Sequence, residues 1–261
     1  MVKSIKAIFF DIDGTLIPLF DPESKIVPST LEALYQLREK GIKLFISSGR
    51  PYDFIKNQIG KQFEFDGYVA ANGQYCIIGD KVLRDIKLDM THFLDAIDYA
   101  DKHQLTIAIP THKGNVVNFI SDRARQLFRD PIKCIPQDLK TYVDKELYFM
   151  MLFVDEKEEK PFFEVMPEVK GTRWNELYCD VIPKDGGKDK GIQTVIDELG
   201  ISVKETMCFG DGGNDIPMLD FCGLSVVMGN AKDDVKVHGD YVTDDVKEDG
   251  IYKALKHFNI L

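Results

Sequence analysis

Short apolar runs alternate with amphipathic stretches in the first part of the chain. Residues 5–10, 43–47 and 68–71 are apolar runs with the length of buried strands. Residues 29–41 and 51–59 separate these runs and carry apolar side chains at helical spacing. The order strand, helix, strand, helix, strand predicts a parallel sheet covered by helices.

Cap and turn residues refine this prediction at two points. Ser29 and Glu32 have the spacing of a capping box, which predicts that the first helix begins at Ser29. Asn72 and Gly73 lie between two apolar runs, and this pair favours a hairpin turn.

Between residues 81 and 182 strand-like runs outnumber helical ones. The strand-like runs are residues 105–110, 115–120, 146–154 and 176–182, and the helical ones are 89–100 and 157–166. From residue 183 the alternation of helix and strand resumes, with helices at 188–199 and 214–219 and strands at 206–209 and 224–228. The pattern predicts an α/β protein. Its core is a Rossmann-like, doubly wound parallel sheet formed by residues 1–80 and 183–261, and residues 81–182 form an inserted α+β cap domain.

Charge and hydropathy exclude two classes of partner. The chain has 261 residues, of which 44% are hydrophobic, and a net charge of −10. An acidic chain without a Lys/Arg-rich tract argues against nucleic-acid binding, because phosphate neutralisation needs a basic surface. No apolar run approaches the roughly 18 residues of a membrane span. An anionic small molecule remains a possible substrate if its site is locally positive, and no obligate protein partner is evident.

Cysteine and histidine usage gives little support to disulfides or zinc. The five cysteines are odd in number and contain no C-x-x-C pair, which favours reduced thiols. The five histidines show no H-x-x-x-H spacing, so a zinc site is not expected. The apolar run at the N-terminus is too short for a signal peptide. These features together predict a cytoplasmic protein.

Two carboxylates, Asp11 and Asp13, end the first apolar run. Strand positions two apart face the same way, and ligands of parallel sheets bind at the carboxyl ends of strands. Gly14 allows the chain to turn there. Two carboxylates so close repel unless a divalent cation neutralises them or one of them stays protonated, and Mg²⁺ is a cation that prefers such oxygen ligands. An EF-hand loop is excluded because its twelfth position is Pro22, but a solvated loop with chance acids remains an alternative.

Two further polar segments follow predicted strands. Ser48 and Gly49 come after the second strand and offer a hydroxyl and an approachable amide, although a plain turn is the favoured interpretation of this segment taken alone. Asp211, Asn214 and Asp215 come after a later strand with spacing that places them on one helical face. Helix capping is the structural alternative, but it accounts for only one of these three residues.

Two lysines lie in the first turn of the helix predicted at 188–199. Lys188 falls within about 40° of the apolar stripe at about 100° per residue, whereas Lys190 falls near the opposite side. A lysine on the buried side is expected to pair with an anion, unless it extends along the stripe to reach water. We therefore expect Lys188, rather than Lys190, to face a functional site.

The four segments together resemble the motifs of the haloacid dehalogenase superfamily of phosphotransferases. Asp11-Ile-Asp-Gly-Thr is similar to the first motif, Ser48-Gly49 to the second, Lys188 to the third, and the segment from Gly210 to Asp215 to the fourth. The size and position of the insert resemble the Cof-like subgroup with a large α/β cap, which includes bacterial sugar-phosphate phosphatases. Such caps are expected to close over the substrate and select it. The chain departs from the usual motifs in having Ser48 for threonine and in placing Asp189, not glycine, after Lys188.

The resemblance implies roles for the two strand-end carboxylates and for a metal. Asp11 would be the nucleophile that forms an aspartyl-phosphate, and Asp13 the general acid and base. Dehalogenases of the superfamily lack the second aspartate. Mg²⁺ would be held by Asp11, the backbone carbonyl of Asp13, and Asp211, with Asp215 supporting these ligands.

The phosphoryl oxygens would be surrounded, by the same resemblance, by Ile12, Ser48, Gly49, Lys188 and Asn214. The resemblance thus implies a Mg²⁺-dependent phosphatase of small phosphate esters, with hexose phosphates as the expected substrates. A phosphomutase and a non-catalytic phosphosugar-binding protein are the alternative functions. Release of free phosphate from an ester separates the first function from the other two.

Overall fold

A computed structural model describes residues 4–19, 23, 25–111, 114–128 and 134–261. The chain forms two compact units, one made of the segments up to Asp85 and from Gly186 onwards, and the other of Ile86–Asp185. Within the described residues, every helix is too short or too polar to cross a lipid bilayer.

The strands and helices follow the predicted alternation at both ends of the chain. In chain order the strands are β1 (Ala7–Phe10), β2 (Lys43–Ser47), β3 (Gly67–Ala70), β4 (Tyr75–Ile78), β5 (Lys81–Asp85), β6 (Thr106–Thr111), β7 (Gly114–Val117), β8 (Cys134–Pro136), β9 (Met150–Phe153), β10 (Val169–Thr172), β11 (Cys179–Pro183), β12 (Thr206–Gly210), β13 (Ser225–Val227) and β14 (Tyr241–Val242). The helices are α1 (Pro28–Glu39), α2 (Tyr52–Gln58), α3 (Phe93–Lys102), α4 (Asp122–Leu127), α5 (Glu159–Val165), α6 (Lys188–Leu199), α7 (Ile216–Phe221), α8 (Asp233–Lys236) and α9 (Gly250–His257).

The first unit is built on a sheet with the strand order β14-β13-β12-β1-β2-β3-β4-β5, and its strands from β14 to β3 are parallel. Ile8 and Phe10 of β1 pack on the face covered by α1 and α9. Ala7 and Phe9 point to the other face, where α6 and α7 lie. Because both faces are covered, the strands read as continuous apolar runs, and the predicted doubly wound α/β core is confirmed.

The edge of this sheet departs from the predicted domain boundary. β4 and β5 add to β3 as antiparallel strands, so residues 81–85 belong to the core sheet and not to the insert. Residues 183–185, in turn, belong to the inserted unit. The hairpin predicted at Asn72 and Gly73 joins β3 to β4. The sequence placed the boundary at residue 80 because the order of elements becomes mixed from residue 81, but Gly79 and Asp80 form the tight turn of a second hairpin, between β4 and β5.

The inserted unit has its own six-stranded sheet, in the order β10-β11-β9-β6-β7-β8. All neighbouring pairs are antiparallel except β7 with β8. α3 and α5 cover one face through Phe93, Ile97 and Phe162. A mixed sheet with helices packed on it is the α+β architecture that the sequence predicts for this segment.

The chain order of the core sheet creates a switch point beside β1. From β1 the chain moves through β2 and β3 to one side, and after the insert it returns through β12, β13 and β14 on the other side. β1 and β12 are therefore adjacent parallel strands whose carboxyl ends open the same crevice. Ligands of open α/β sheets bind at such a point, so the residues that follow β1 and β12 define the candidate site.

Candidate active site

Asp11 and Asp211 are the first residues after β1 and β12, and both are buried. The amide of Asp11 donates to the carbonyl of Phe209 at 3.0 Å, which continues the pairing of the two strands to the site. Gly14 has φ +85°, and a Cβ there would lie 2.1 Å from Oδ2 of Asp211. Only glycine fits this turn, because a side chain would displace Asp211.

A buried lysine, the third motif, joins carboxylates of the first and fourth motifs. Nζ of Lys188 donates to Oδ1 of Asp11 at 2.6 Å and to Oδ1 of Asp215. Lys188 is 0% exposed, whereas the side chain of Lys190 is 52% exposed. The prediction that Lys188 faces the buried side is confirmed. Its partners are two carboxylates, as expected for a lysine held away from water.

Asp215 is held by contacts to both of its oxygens. Oδ1 accepts the Lys188 bond, and Oδ2 accepts backbone N–H bonds from Asp211 and Gly212, each at 2.9 Å. The turn Gly213–Asp215 is a short 3₁₀ helix that leads into α7. Asp215 therefore caps this turn and at the same time fixes the backbone of Asp211. Helix capping by Asp215 is thus compatible with a functional role for this segment.

Thr15 and Asn230 also contact Asp211, and sequence analysis did not identify either. Oγ1 of Thr15 donates to Oδ1 of Asp211 at 2.9 Å, and Nδ2 of Asn230 donates to Oδ2 at 3.2 Å. Asn230 also donates to the carbonyl of Gly14 at 2.9 Å. Thr15 ends the first motif, and this could have suggested it. Asn230 follows β13, outside the four motifs.

Burial and like charge raise the pKa of two acids in this cluster. The pKa of Asp11 rises from 3.8 to about 7, through burial first and then the Asp215 carboxylate, against the lowering effect of Lys188. The pKa of Asp211 rises from 3.8 to about 8, through burial and then the carboxylates of Asp11 and Asp215. Burial lowers the pKa of Lys188, but Asp11 and Asp215 outweigh this effect and hold it above its ordinary value. The cluster has more negative charge than one lysine neutralises.

This electrostatic imbalance predicts how the metal-free protein responds to pH. Between about pH 4 and about pH 8 the folded protein holds protons on Asp11 and Asp211 that the unfolded chain releases, so these acids lower stability as the pH rises. Asp211→Asn removes one of them. In EDTA, its free energy of unfolding relative to wild type should become more favourable from about pH 5 to about pH 8.5, as measured by urea titration.

The Asp211→Asn substitution can also change the free energy of unfolding by an amount that does not depend on pH. Such a change is the same at about pH 5 and at about pH 8.5, so it cancels when the variant-minus-wild-type differences at the two pH values are compared. A variant-minus-wild-type difference that stays constant with pH would show that Asp211 is not an uncompensated buried charge.

Asp13 lies apart from the carboxylate cluster and pairs with Arg50, which sequence analysis also missed. Nε and Nη2 of Arg50 donate to the two oxygens of Asp13 at 2.7 and 2.6 Å. The guanidinium is fixed in turn by Gln58 at 3.0 Å and by the ring of Phe54, 4.7 Å from its carbon. Arg50 directly follows Ser48 and Gly49 and precedes the helix that begins at Tyr52, so an arginine beside the second motif at the start of a helix was the available clue.

The remaining predicted residues lie on loops around the same strand ends. Ser48 and Asn214 are 1% and 8% exposed, and Ile12 is buried. Among the described residues, no backbone carbonyl accepts a hydrogen bond from the amide of Ile12 or Gly49. These two amides are thus available to an anion, as the phosphate-binding interpretation requires.

The cluster also fits a divalent cation. One carboxylate oxygen from each of Asp11, Asp211 and Asp215 lies within 4.8 Å of the others. All three are hard oxygen donors, and a cation would offset the repulsion that raises the pKa values of Asp11 and Asp211. Oδ2 of Asp215 already accepts two backbone N–H bonds and Oδ1 accepts from the buried Lys188 ammonium, whereas each oxygen of Asp211 accepts a single bond from a neutral side chain, so Asp211 keeps more capacity for a direct metal ligand.

The chain belongs to the haloacid dehalogenase-like hydrolase family, which its residues 8–255 match. Together with the fold and the acidic cluster, this membership defines a phosphatase of the haloacid dehalogenase type.

Three relatives show how close the similarity is. The chain is 34% identical to "Putative phosphatase YkrA" of Bacillus subtilis (strain 168), with 98% of each protein covered. It superposes with a TM-score of 0.90 on BT1666 of Bacteroides thetaiotaomicron, a phosphatase of the same superfamily, at 31% identity and with 99% of this chain and 96% of that chain covered. The subclass IIB sugar phosphatase BT4131 gives a TM-score of 0.85 at 37% identity, covering 98% of this chain and 100% of that one.

Proposed function

We propose that the protein is a Mg²⁺-dependent phosphatase that hydrolyses small phosphate esters through an aspartyl-phosphate on Asp11. The proposed substrates are sugar phosphates. The observation that carries the proposal is the buried cluster in which Lys188 bonds to Asp11 and Asp215 beside Asp211. A cluster of this kind is costly to bury and serves no packing purpose, which favours a catalytic role.

In the first step a carboxylate oxygen of Asp11 attacks phosphorus, and the bond from phosphorus to the ester oxygen breaks. Asp13 gives its proton to the departing alkoxide, so that an alcohol leaves. Each oxygen of Asp13 accepts one hydrogen bond from the guanidinium of Arg50 and keeps a second lone pair, so Asp13 can carry the proton while it stays bonded to Arg50. Arg50 therefore orients Asp13 in both half-reactions.

In the second step Asp13 acts in the opposite direction. Its carboxylate takes a proton from water, the water oxygen attacks phosphorus, and the bond from phosphorus to Asp11 breaks. Inorganic phosphate leaves and both aspartates return to their starting states. The acid of one half-reaction becomes the base of the next, so a single residue serves both steps.

The phosphoryl oxygens would be held by Lys188, the amides of Ile12 and Gly49, the Ser48 hydroxyl and the Asn214 amide. Phosphoryl transfer depends mainly on positioning and on neutralising negative charge. Lys188 is fixed by two buried carboxylates, so its ammonium cannot drift from the nucleophile. Local positive charge explains how a protein of net charge −10 can handle an anionic substrate.

Mg²⁺ is the cation that the donor set favours, with Asp11, the Asp13 carbonyl and Asp211 as ligands and Asp215 as support. When bound, such an ion neutralises charge on the phosphoryl group and on the nucleophile. Thr15 and Asn230 would orient the Asp211 carboxylate toward it.

Sugar phosphates are the proposed substrates because BT4131, a 37% identical structure covering almost the whole chain, is a sugar phosphatase. The test is release of inorganic phosphate from a panel of hexose, pentose and non-sugar phosphate esters, with Asp11→Asn as the inactive control. Conversion of one sugar phosphate to its isomer without free phosphate would replace the proposal by a mutase. Binding without either reaction would indicate a sensor.

Metal dependence gives a separate prediction. Protein freed of metal with EDTA and then dialysed should lose nearly all phosphatase activity, because the acidic cluster is then uncompensated, and Mg²⁺ should restore it. The measurement is phosphate release against added Mg²⁺, with Ca²⁺ as the comparison because its larger, more flexible coordination suits catalysis of this kind poorly. Full turnover in protein shown by elemental analysis to lack metal would refute the proposed cofactor.

The state of the cysteines indicates the cellular compartment in which the protein works. Cys76, Cys134, Cys179, Cys208 and Cys222 are all free and buried. Reduced thiols are the normal state in the cytoplasm, and we propose that compartment on this ground.

A further inference from the structure

The turn Ala71–Gly73, which follows β3, has an unusual backbone conformation. Ala71, Asn72 and Gly73 have φ values of 50°, 53° and 88°, three consecutive residues in the region that favours glycine. Residues held in this region persist only where the surrounding structure fixes them, and they concentrate at functional sites. The turn is buried, with Asn72 only 1% exposed.

Asn72 connects three loops that carry predicted site residues. Its amide donates to the carbonyl of Ser48 at 3.0 Å, and its carbonyl accepts from the amide of Gly187 at 3.0 Å, directly before Lys188. Its side-chain Oδ1 accepts from Nδ2 of Asn214 at 3.2 Å. One residue outside the four motifs therefore bonds to the loops of the second, third and fourth motifs.

Close packing leaves this turn little room to move. A Cβ on Gly73 would lie 2.0 Å from the carbonyl oxygen of Gly187, and a Cβ on Gly191 would lie 2.9 Å from the Cα of Gly73. On the other side, a Cβ on Gly49 would lie 3.1 Å from Oδ1 of Asn72. The side-chain amide of Asn72 is thus confined between Gly49 and Asn214.

We infer that Asn72 is a positioning residue for phosphoryl transfer, acting through the amide of Asn214. An amide nitrogen has two N–H groups. The bond to Asn72 uses one of them and fixes the plane of the Asn214 amide, which leaves the second N–H for a phosphoryl oxygen. Asparagine suits the position because it tolerates the left-handed conformation better than other side chains. The inference rests on the proposed function of the site.

Asn72→Gly isolates the side chain, because glycine adopts the same backbone conformation freely. We expect kcat/KM for a phosphate ester to fall about 10- to 100-fold, the range for residues that orient a reacting group. The matched control is Asn259→Gly. Asn259 also has a positive φ, of 55°, but it lies at the end of α9 away from the motifs, and its kcat/KM should stay within about twofold of wild type.

A double-mutant cycle tests whether Asn72 acts through Asn214. If it does, Asn72→Gly combined with Asn214→Ala should be no slower than Asn214→Ala alone, whereas independent effects would multiply.

Calorimetric binding of orthovanadate adds a readout that does not need turnover, and its dissociation constant should rise in Asn72→Gly but not in Asn259→Gly. Urea unfolding checks that each variant is folded. Asn72→Ser, which is too short to reach Asn214, replaces Asn72→Gly if the latter does not fold.

The outcomes separate the inference from the proposed function. If wild type hydrolyses esters and Asn72→Gly does so equally well, or if the two effects multiply, the inference is wrong. If wild type releases no phosphate, the proposed function is wrong, and the orthovanadate titrations alone then decide whether Asn72 positions an oxyanion site.

Discussion

Asp11→Asn is expected to abolish phosphatase turnover, with a loss on the order of 10⁴-fold or more in kcat. The neutral amide is nearly the same size as the carboxylate but cannot attack phosphorus. The fold should persist, because the carbonyl oxygen of the amide can still accept the bond from Lys188. The variant also removes a buried acid whose pKa is raised to about 7, so we expect no loss of stability in EDTA. Steady-state phosphate release and urea unfolding check both parts.

Asp13→Asn provides the matched comparison, since it removes the second carboxylate of the same motif. Its loss should depend on the leaving group, because a good leaving group such as p-nitrophenolate needs no proton to depart. The Asp11→Asn loss should be equally severe for every ester. Retention of a tenth of wild-type kcat by Asp11→Asn, a difference of about 1.4 kcal/mol, would exclude Asp11 as the nucleophile.

The elements that the sequence predicted well are those in which one strong local pattern decides the outcome. β1 and β2 are continuous apolar runs because both faces of a doubly wound sheet are covered. The burial of Lys188 followed from helical periodicity alone, since only one of the two lysines falls on the apolar stripe. Polar residues that follow such strands meet at the switch point for topological reasons, so Asp11 and Asp211 converge although 200 residues separate them.

The predictions that failed depend on contacts distant in sequence. The capping box at Ser29 does not form: α1 begins at Pro28, and Oγ of Ser29 donates to Asp249 at 2.5 Å. A hydroxyl can satisfy either partner, and the local pattern cannot show which one is near. The pairing of Arg50 with Asp13 and of Asn72 with Asn214 likewise joins different loops. Neither pair shares a periodicity or spacing that could have revealed it.

The pKa values of the acidic cluster also depend on contacts that the sequence does not show. A sequence shows how many acids lie near a strand end, but not that Asp211 and Asp215 are buried beside Asp11. The raised pKa values of Asp11 and Asp211 come first from burial and only then from charge. The excess negative charge that a cation would offset at this site is therefore a property of the fold, although the acids that supply it are visible in the sequence.

Lys188→Ala is expected to reduce kcat/KM by about 2–4 kcal/mol, which is a factor of roughly 30 to 1,000, because it removes a preorganised charge beside the nucleophile and the phosphoryl group. It should also destabilise the metal-free protein. Lys188 is 0% exposed and bonds to Asp11 and Asp215, and loss of one partner of a buried ion pair costs about 3–5 kcal/mol.

Added Mg²⁺ should recover part of this stability but not the activity, because a cation on the carboxylates replaces the charge that held them without replacing the donor to phosphate. The control is Lys190→Ala, two residues further along α6, whose side chain is 52% exposed and 3.7 Å from the Asp189 carboxylate. An exposed pair of this kind contributes little, so both kcat/KM and the unfolding free energy should remain near wild type. A larger loss of activity in Lys190→Ala than in Lys188→Ala would mean that the wrong lysine has been assigned to the phosphoryl group.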